Sequence, residues 1–316
     1  MAVKPSGSAA RVGRLLTFLG GHGEFGYSLS ELARAVGMDK TTCQAMLRAL
    51  VESGFVHRDD GRRTYALGPA ALAVAAADGD RARLARLARA ELESLTADLD
   101  IETFATMTFA DSLLVLARVP RSALFGLCMR VGQTLPLRPP VGAVHLAWAP
   151  PGAVDAWLAP AAAAGRDAAG RDAAGRDAAG RDAAGTQPAR RHLRAVDAVR
   201  ERGYSVTVEG ALRWRLRDVL DQVADAPTDP GLLRERDELL RTLAEGDYEI
   251  LDPDGAKSWP VGEICAPVFG RDGQVAVALG LVAAQTLDTA RRAAMVDRLL
   301  IATSRLTALT GGRRPD

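Results

Sequence analysis

Residues 28–68 read SLSELARAVGMDKTTCQAMLRALVESGFVHRDDGRRTYALG, and this stretch decides the fold. Ser28, with Glu31 three residues on, is a capping box in which each side chain accepts from the other's backbone N–H. The helix it opens puts Leu29, Leu32, Ala33 and Val36 on one face and stops at Gly37-Met38. Asp39 caps a second helix, whose Cys43, Met46, Leu47 and Leu50 follow the i, i+3, i+4, i+7 spacing of one apolar stripe. Its other face carries Thr41, Gln44, Ala45 and Arg48, with Lys40 and Thr42 in the first turn. Two short helices joined by a tight glycine turn, the second polar and basic outside, predict a helix-turn-helix. Phe55 to Arg58 and Thr64 to Leu67 then alternate on either side of Asp59-Asp60-Gly61-Arg62-Arg63. That pattern predicts a β-hairpin with a basic tip, the wing of a winged helix.

The residue types suit a major groove. Threonine and glutamine can read base edges, while Lys40 and Arg48 can meet phosphate or guanine. Arg62 and Arg63 are placed to touch phosphates or the minor groove, contacts that bind without specifying sequence. The blander alternative is a helical cap with a solvated charged face. Against it stand the capped second helix, the basic third helix and the arginine-tipped hairpin together. Upstream, Val12, Leu15, Leu16 and Leu19 predict one more helix, ended by Gly20, Gly21 and Gly23. Gly21-x-Gly23-x-x-Gly26 formally matches a dinucleotide fingerprint, but it follows a helix rather than a strand and reads as a loop.

Composition bounds the rest. The chain has 316 residues, 40 Lys+Arg against 39 Asp+Glu, 48% hydrophobic and 25% charged residues. This is the balance of an ordinary globular protein, at a length that suggests two domains. The near-zero net charge hides an asymmetry, since the first 68 residues hold nine basic and six acidic side chains. Cys43, Cys128 and Cys265 are far apart and form no Cys-x-x-Cys pair, so neither a zinc site nor a disulfide framework is expected. With no secretory pattern at the N-terminus, a cytoplasmic location is the expectation. The longest uncharged stretch, Pro139 to Val154, is broken by four prolines, and no membrane span is expected. His22, His57, His145 and His192 are scattered, and no nucleophile, metal or Walker motif occurs, so neither an enzyme, a cofactor nor a metal is expected.

Residues 28–68 resemble the winged helix of the IclR family of bacterial transcription regulators. The resemblance rests on Leu29…Leu32-Ala33, Lys40-Thr41-Thr42, Leu47-Arg48-Ala49-Leu50 and Tyr65-Ala66-Leu67-Gly68. It implies DNA contact by Lys40, Thr41, Thr42, Gln44, Ala45, Arg48, Arg62 and Arg63. Beyond Gly68 the pattern predicts a helix to about Ala77, a helix from Arg83 to Asp98, and strands over 101–109, 113–119, 124–131, 261–269 and 274–282. A helix from about Asp288 to Leu309, with Val296, Leu299, Leu300 and Thr303 buried, closes the chain. This order is α+β, with one sheet covered by helices. It resembles the GAF-like effector-binding domain of the same family, with Cys128-Met129-Arg130-Val131-Gly132 and Cys265-Ala266-Pro267-Val268-Phe269 as its marks. The resemblance implies a domain of residues 1–70 for DNA, a linker helix at 71–82 and an effector domain at 83–316. It places Met129, Gly142, Ala143, Cys265 and Gly280 at an effector pocket, with the Gly142-Ala143 amides open to a carboxylate. Cys265 and Met129 read equally well as core residues.

Two departures from the family stand out. Arg138-Pro139-Pro140-Val141-Gly142-Ala143 replaces a Thr-x-x-Gly-Lys loop. Residues 165–184 are four exact copies of Gly-Arg-Asp-Ala-Ala, read as a disordered surface loop at 165–185, and 210–225 and 230–245 add two helical segments suited to a lid or an oligomer contact. The resulting expectation is a transcription regulator that binds double-stranded operator DNA as a homodimer or dimer of dimers. A small organic effector, a carboxylic acid or aromatic metabolite, would control it. The alternative is a small-molecule sensor whose winged helix contacts protein.

Overall fold

The computed structural model describes residues 6–21, 26–121, 130–150, 152–159 and 181–315, with backbone alone over 181–188. The chain packs as two units. One gathers Met1–Arg86, Cys128–Gln133 and Arg217–Arg236; the other gathers Leu87–Leu127, Thr134–Leu216 and Asp237–Asp316.

The first unit opens with α1 (Gly7–Gly21), β1 (Tyr27–Ser28), α2 (Leu29–Ala35), α3 (Lys40–Glu52), β2 (Val56–Asp59), β3 (Thr64–Leu67) and α4 (Pro69–Ala77). Its core is the set of stripes read from the sequence: Leu15 and Leu19 from α1, Leu32 and Ala33 from α2, and Cys43, Leu47 and Leu50 from α3. Val56 and Tyr65 of the wing close it. The wing gains a short strand that the sequence did not announce. Tyr27 and Ser28 pair with Tyr65 and Thr64, giving the sheet order β1-β3-β2. A two-residue strand is too short to carry a period-two pattern. The Gly20 to Gly26 stretch includes 22–25, which lie outside the described residues.

The second unit is built on a six-stranded antiparallel sheet. α5 (Gly79–Leu99) leads to β4 (Glu102–Phe109), β5 (Ser112–Val119) and β6 (Thr134–Pro136). α6 (Ala143–Leu146), α7 (152–159), α8 (Arg181–Arg202) and β7 (Ser205–Val208) follow. α9 (Ala211–Asp225), α10 (Pro230–Glu245), β8 (Ser258–Phe269), β9 (Val275–Asp288) and α11 (Thr289–Leu309) complete the chain. The sheet order is β6-β5-β4-β9-β8-β7. Most of the expected strand over 124–131 lies outside the described residues; Arg130 to Gln133 is a turn, and β6 is the strand beside β5. The repeat lies mostly outside the described residues as well, and α8 begins within its fourth copy.

Because successive side chains alternate across a strand, the register assigns the two faces. Thr103 of β4 points to α5, where its hydroxyl donates to the Leu92 carbonyl at 3.0 Å. α11 covers the same face with Met295, Leu299, Ala302 and Leu306, all fully buried. Arg298 ties the two helices, its Nε 2.8 Å from Asp98 and its Nη2 2.9 Å from Ser94. The opposite face takes Phe104 and Thr106 of β4, Ala278 and Gly280 of β9, and Cys265 and Pro267 of β8. α6, α7 and α8 pack over it through Val144, Leu146, Trp157, Val196 and Val199. No helix among the described residues is long and apolar enough to cross a membrane.

Candidate nucleic-acid interface and effector face

The first candidate site is the outer face of α3 with the wing. Both helix starts are satisfied locally. Ser28 N–H donates to Glu31 Oε2 at 2.8 Å and Glu31 N–H to Ser28 Oγ at 3.3 Å. Asp39 Oδ1 accepts from Thr42 N–H at 2.8 Å, and hydrogen bonding by the Thr42 side chain and then by its amide holds the Asp39 carboxyl below its ordinary range. A cap of this kind satisfies one of the backbone donors left free at the helix start. With Cys43, Leu47 and Leu50 buried, Lys40, Thr41, Gln44, Ala45 and Arg48 are all exposed and Thr42 is half-buried. Arg48 reaches Glu52 at 3.3 Å, but both side chains are mostly in solvent. Such a pair contributes little and gives way readily to a phosphate.

The wing tip is ordered by Asp59, whose Oδ1 accepts from the amides of Gly61 at 2.9 Å and Arg62 at 3.0 Å. Arg63 follows at φ +57°, a left-handed conformation rare outside glycine, and both arginines stand exposed. All eight residues expected at DNA therefore lie in one unit, on one helix face and one hairpin tip.

The second candidate site is the sheet face under α6, α7 and α8. Its middle row is Phe104, Gly280 and Cys265, in direct register across β4, β9 and β8. Gly280 is there because the Phe104 ring occupies the space of a side chain; a Cβ on it would lie 2.2 Å from Cζ. Cys265 is half-buried, and desolvation pushes its thiol well above the ordinary range, with Glu263 adding to the shift. It is a protonated, unreactive group at neutral pH. Gly142 caps α6 at φ +95°, with the Leu137 side chain beneath it, and Ala143 is buried in the apolar cluster of α6 to α8. Met129 lies outside the described residues.

Polar groups absent from the sequence reading bound this row at both ends. On one side Glu102 and Glu263 flank Val282 from its two neighbouring strands. Arg118 grips Glu102 with Nε at 2.6 Å and Nη2 at 3.2 Å. Arg213 of α9 meets Glu263 at 2.9 Å, while its buried Nε has no hydrogen-bond partner. Gly262 makes room for that guanidinium, since a Cβ there would lie 2.8 Å from Nε. On the other side His145 Nε2 and Thr106 Oγ1 are 3.1 Å apart, and His145 Nδ1 is buried without a partner. Burial alone lowers the His145 pKa to about 4, so the ring is neutral. No sequence window could unite Arg213 with Glu263 or Thr106 with His145. The only local hint was a histidine inside the apolar run 143–149. Among the described residues no cluster of His, Cys, Asp and Glu is placed to hold a metal ion.

A capped, basic winged helix followed by a helix-covered antiparallel sheet defines the class of two-domain winged-helix proteins. Residues 8–60 match the IclR helix-turn-helix domain. No curated protein matches the chain. Among solved structures, the fold is similar to an IclR transcriptional regulator from Alicyclobacillus acidocaldarius, at TM-score 0.56 and 20% identity over 98% of this chain and 100% of that one. It is similar to HmgR of Pseudomonas aeruginosa, at TM-score 0.52 and 22% identity over 96% and 99%. It is also similar to an IclR homologue from Microbacterium hydrocarbonoxydans complexed with 4-hydroxybenzoate, at TM-score 0.55 and 16% identity over 95% and 98%. Residues 8–60 thus form an IclR-type helix-turn-helix domain, and along its length the chain has the fold of solved IclR regulators.

Proposed function

We propose that the chain is an effector-controlled regulator that reads duplex DNA through α3 and the wing. The observation that carries this reading is the exposed row Lys40, Thr41, Gln44, Ala45 and Arg48 on a helix whose other face is fully committed to the core. Thr42 joins it in the first turn, and Arg62 and Arg63 add phosphate contacts from the hairpin. One winged helix buries little surface, so tight operator binding requires two half-sites and hence a dimer. α4 supports a seam for that dimer: it consists of Pro, Ala, Leu and Val alone and buries none of them, with Leu72 at 75% and Val74 at 60% exposure. A second copy of α4 would remove this surface from water. The setting of such a regulator is the cytoplasm, where its DNA lies.

The effector in this reading is a small aromatic acid bound against the row of Phe104, Gly280 and Cys265, on the side of Gly142 and Ala143. A solved homologue holds 4-hydroxybenzoate. An aromatic ring suits the apolar row, and a carboxylate suits the buried Arg213 Nε–H, which has no hydrogen-bond partner. The test of DNA reading is the double variant Arg48→Ala with Arg62→Ala, assayed for retention of duplex carrying the chain's own upstream region. Each lost contact costs about 1–3 kcal/mol and flattens the salt dependence. Loss of retention by tenfold or more with an unchanged melting temperature is expected. Unchanged retention would favour a winged helix that contacts protein.

A further inference from the structure

Within the second unit, β7 reaches along β8 only as far as Cys265, which pairs with Ser205. Past that point the outer edge of β8, from Ala266 to Phe269, has no strand beside it among the described residues. Gly203, the last turns of α11 and the segment after that helix close around the edge and leave a cavity of about 290 Å³. Two glycines shape it. Gly203 stands at φ +90°, and Gly312 lies so close to the strand that a Cβ there would collide with the Phe269 carbonyl. The walls are Pro267, Leu300, Ala308 and the buried Thr303. The Phe269 ring is buried and packed edge-on by Trp148, with centroids 5.1 Å apart, so the walls are in effect aliphatic. Thr307 Oγ1 accepts from the Phe269 N–H at 3.1 Å and keeps its own hydroxyl hydrogen to donate.

Two cations and no acid line the cavity. Arg314 is committed elsewhere: its guanidinium lies 5.8 Å from the centroid of the Trp148 ring and reaches the Arg200 carbonyl at 3.4 Å. Arg313 is held by its backbone, whose N–H donates to the Gly270 carbonyl at 3.3 Å. Its guanidinium is exposed and makes no ion pair among the described residues. We propose that this cavity is a second ligand site, for a small aliphatic carboxylic acid whose acid end meets Arg313. The site lies at a strand edge beside α11, away from the face under α6, α7 and α8, and it does not rest on the effector reading above. A volume near the low end for small-molecule sites fits a short branched chain. One available guanidinium over apolar walls suits a monoanion; a phosphate needs more donors than these. α11 ends here on its carbonyls, the negative end of the helix dipole, which turns the acid toward Arg313 and the alkyl part toward Leu300 and Ala308.

The test follows the methyl resonances of Leu300 and Ala308 in the full chain as 3-methylbutanoate is added. Saturable shifts are expected at both. The uncharged amide of the same acid and inorganic phosphate are expected to leave them in place. Arg313→Ala is expected to weaken binding by about tenfold or more, the loss of a charge-assisted hydrogen bond. Ala308→Leu, which fills the cavity from an exposed position, is expected to abolish the shift at Leu300. Arg213→Lys alters the proposed effector face and is expected to change nothing here, so a failure of that reading leaves this result intact. No saturation up to the solubility of the acid, equal binding of the amide, or full binding by Arg313→Ala would overturn the proposal, as would loss of the shifts in Arg213→Lys.

Discussion

The imidazole of His145 sits buried over the proposed effector face with no charge near enough to pay for protonation, and its pKa falls to about 4. The folded chain therefore refuses a proton that the unfolded chain accepts below pH 6.5. Stability falls as pH drops from 6.5 toward 4, by about 2 kcal/mol at pH 5 for one such ring. Glu249 works in the opposite sense. Its carboxylate is tied to Arg202, to Ser205 Oγ at 2.7 Å and to the Val206 amide at 2.7 Å, yet burial outweighs them and raises its pKa to about 7. The folded chain takes that proton first, so this contribution is lost as pH rises from 4.5 through 7. Denaturant unfolding of wild type and His145→Leu at pH 7 and pH 5 separates the two. Glu249 is common to both proteins and cancels, and wild type is expected to lose about 2 kcal/mol more than the variant on acidification. An equal loss in both would mean that the ring is solvated.

At the scale of elements, legibility followed the range of the interaction. The starts of α2 and α3 were readable because their caps and stripes are local: Ser28 with Glu31, Asp39 with Thr42, Cys43 with Leu47. The long helix over 289–309 and the hairpin of β8 and β9 were readable for the same reason. β1, β6 and β7 run two, three and four residues, too short for a pattern, and they exist because a longer neighbour offers them a ladder. The polar ends of the effector face were unreadable, since each joins residues far apart along the chain. α4 is the reverse case: its nine apolar residues show no stripe because no side of it is buried. Leu72→Glu with Val74→Glu puts charge on that surface without touching the core. Sedimentation is expected to show a lighter species than wild type, and DNA retention to weaken. An unchanged mass would place the seam elsewhere.

At the scale of the whole molecule, the effector reading makes a thermal prediction. A ligand that binds only the folded chain adds RT ln(1 + [L]/Kd), about 2.7 kcal/mol at a hundredfold excess over Kd. 4-Hydroxybenzoate and related aromatic acids are the first probes, and a rise in melting temperature that disappears in Arg213→Lys is the expected result. A rise retained in full by that variant would remove Arg213 from the ligand's contacts. The sheet that frames this site has a further consequence, because its central pair joins distant parts of the chain: Glu102 to Thr106 of β4 lies against Ala278 to Val282 of β9. The winged-helix core closes between Leu15 and Tyr65. On the ribosome, the DNA-reading core is complete while most of the chain is still unmade. β4 waits with one edge unpaired until translation is nearly finished, and that interval is when a nascent chain of this design depends most on chaperones.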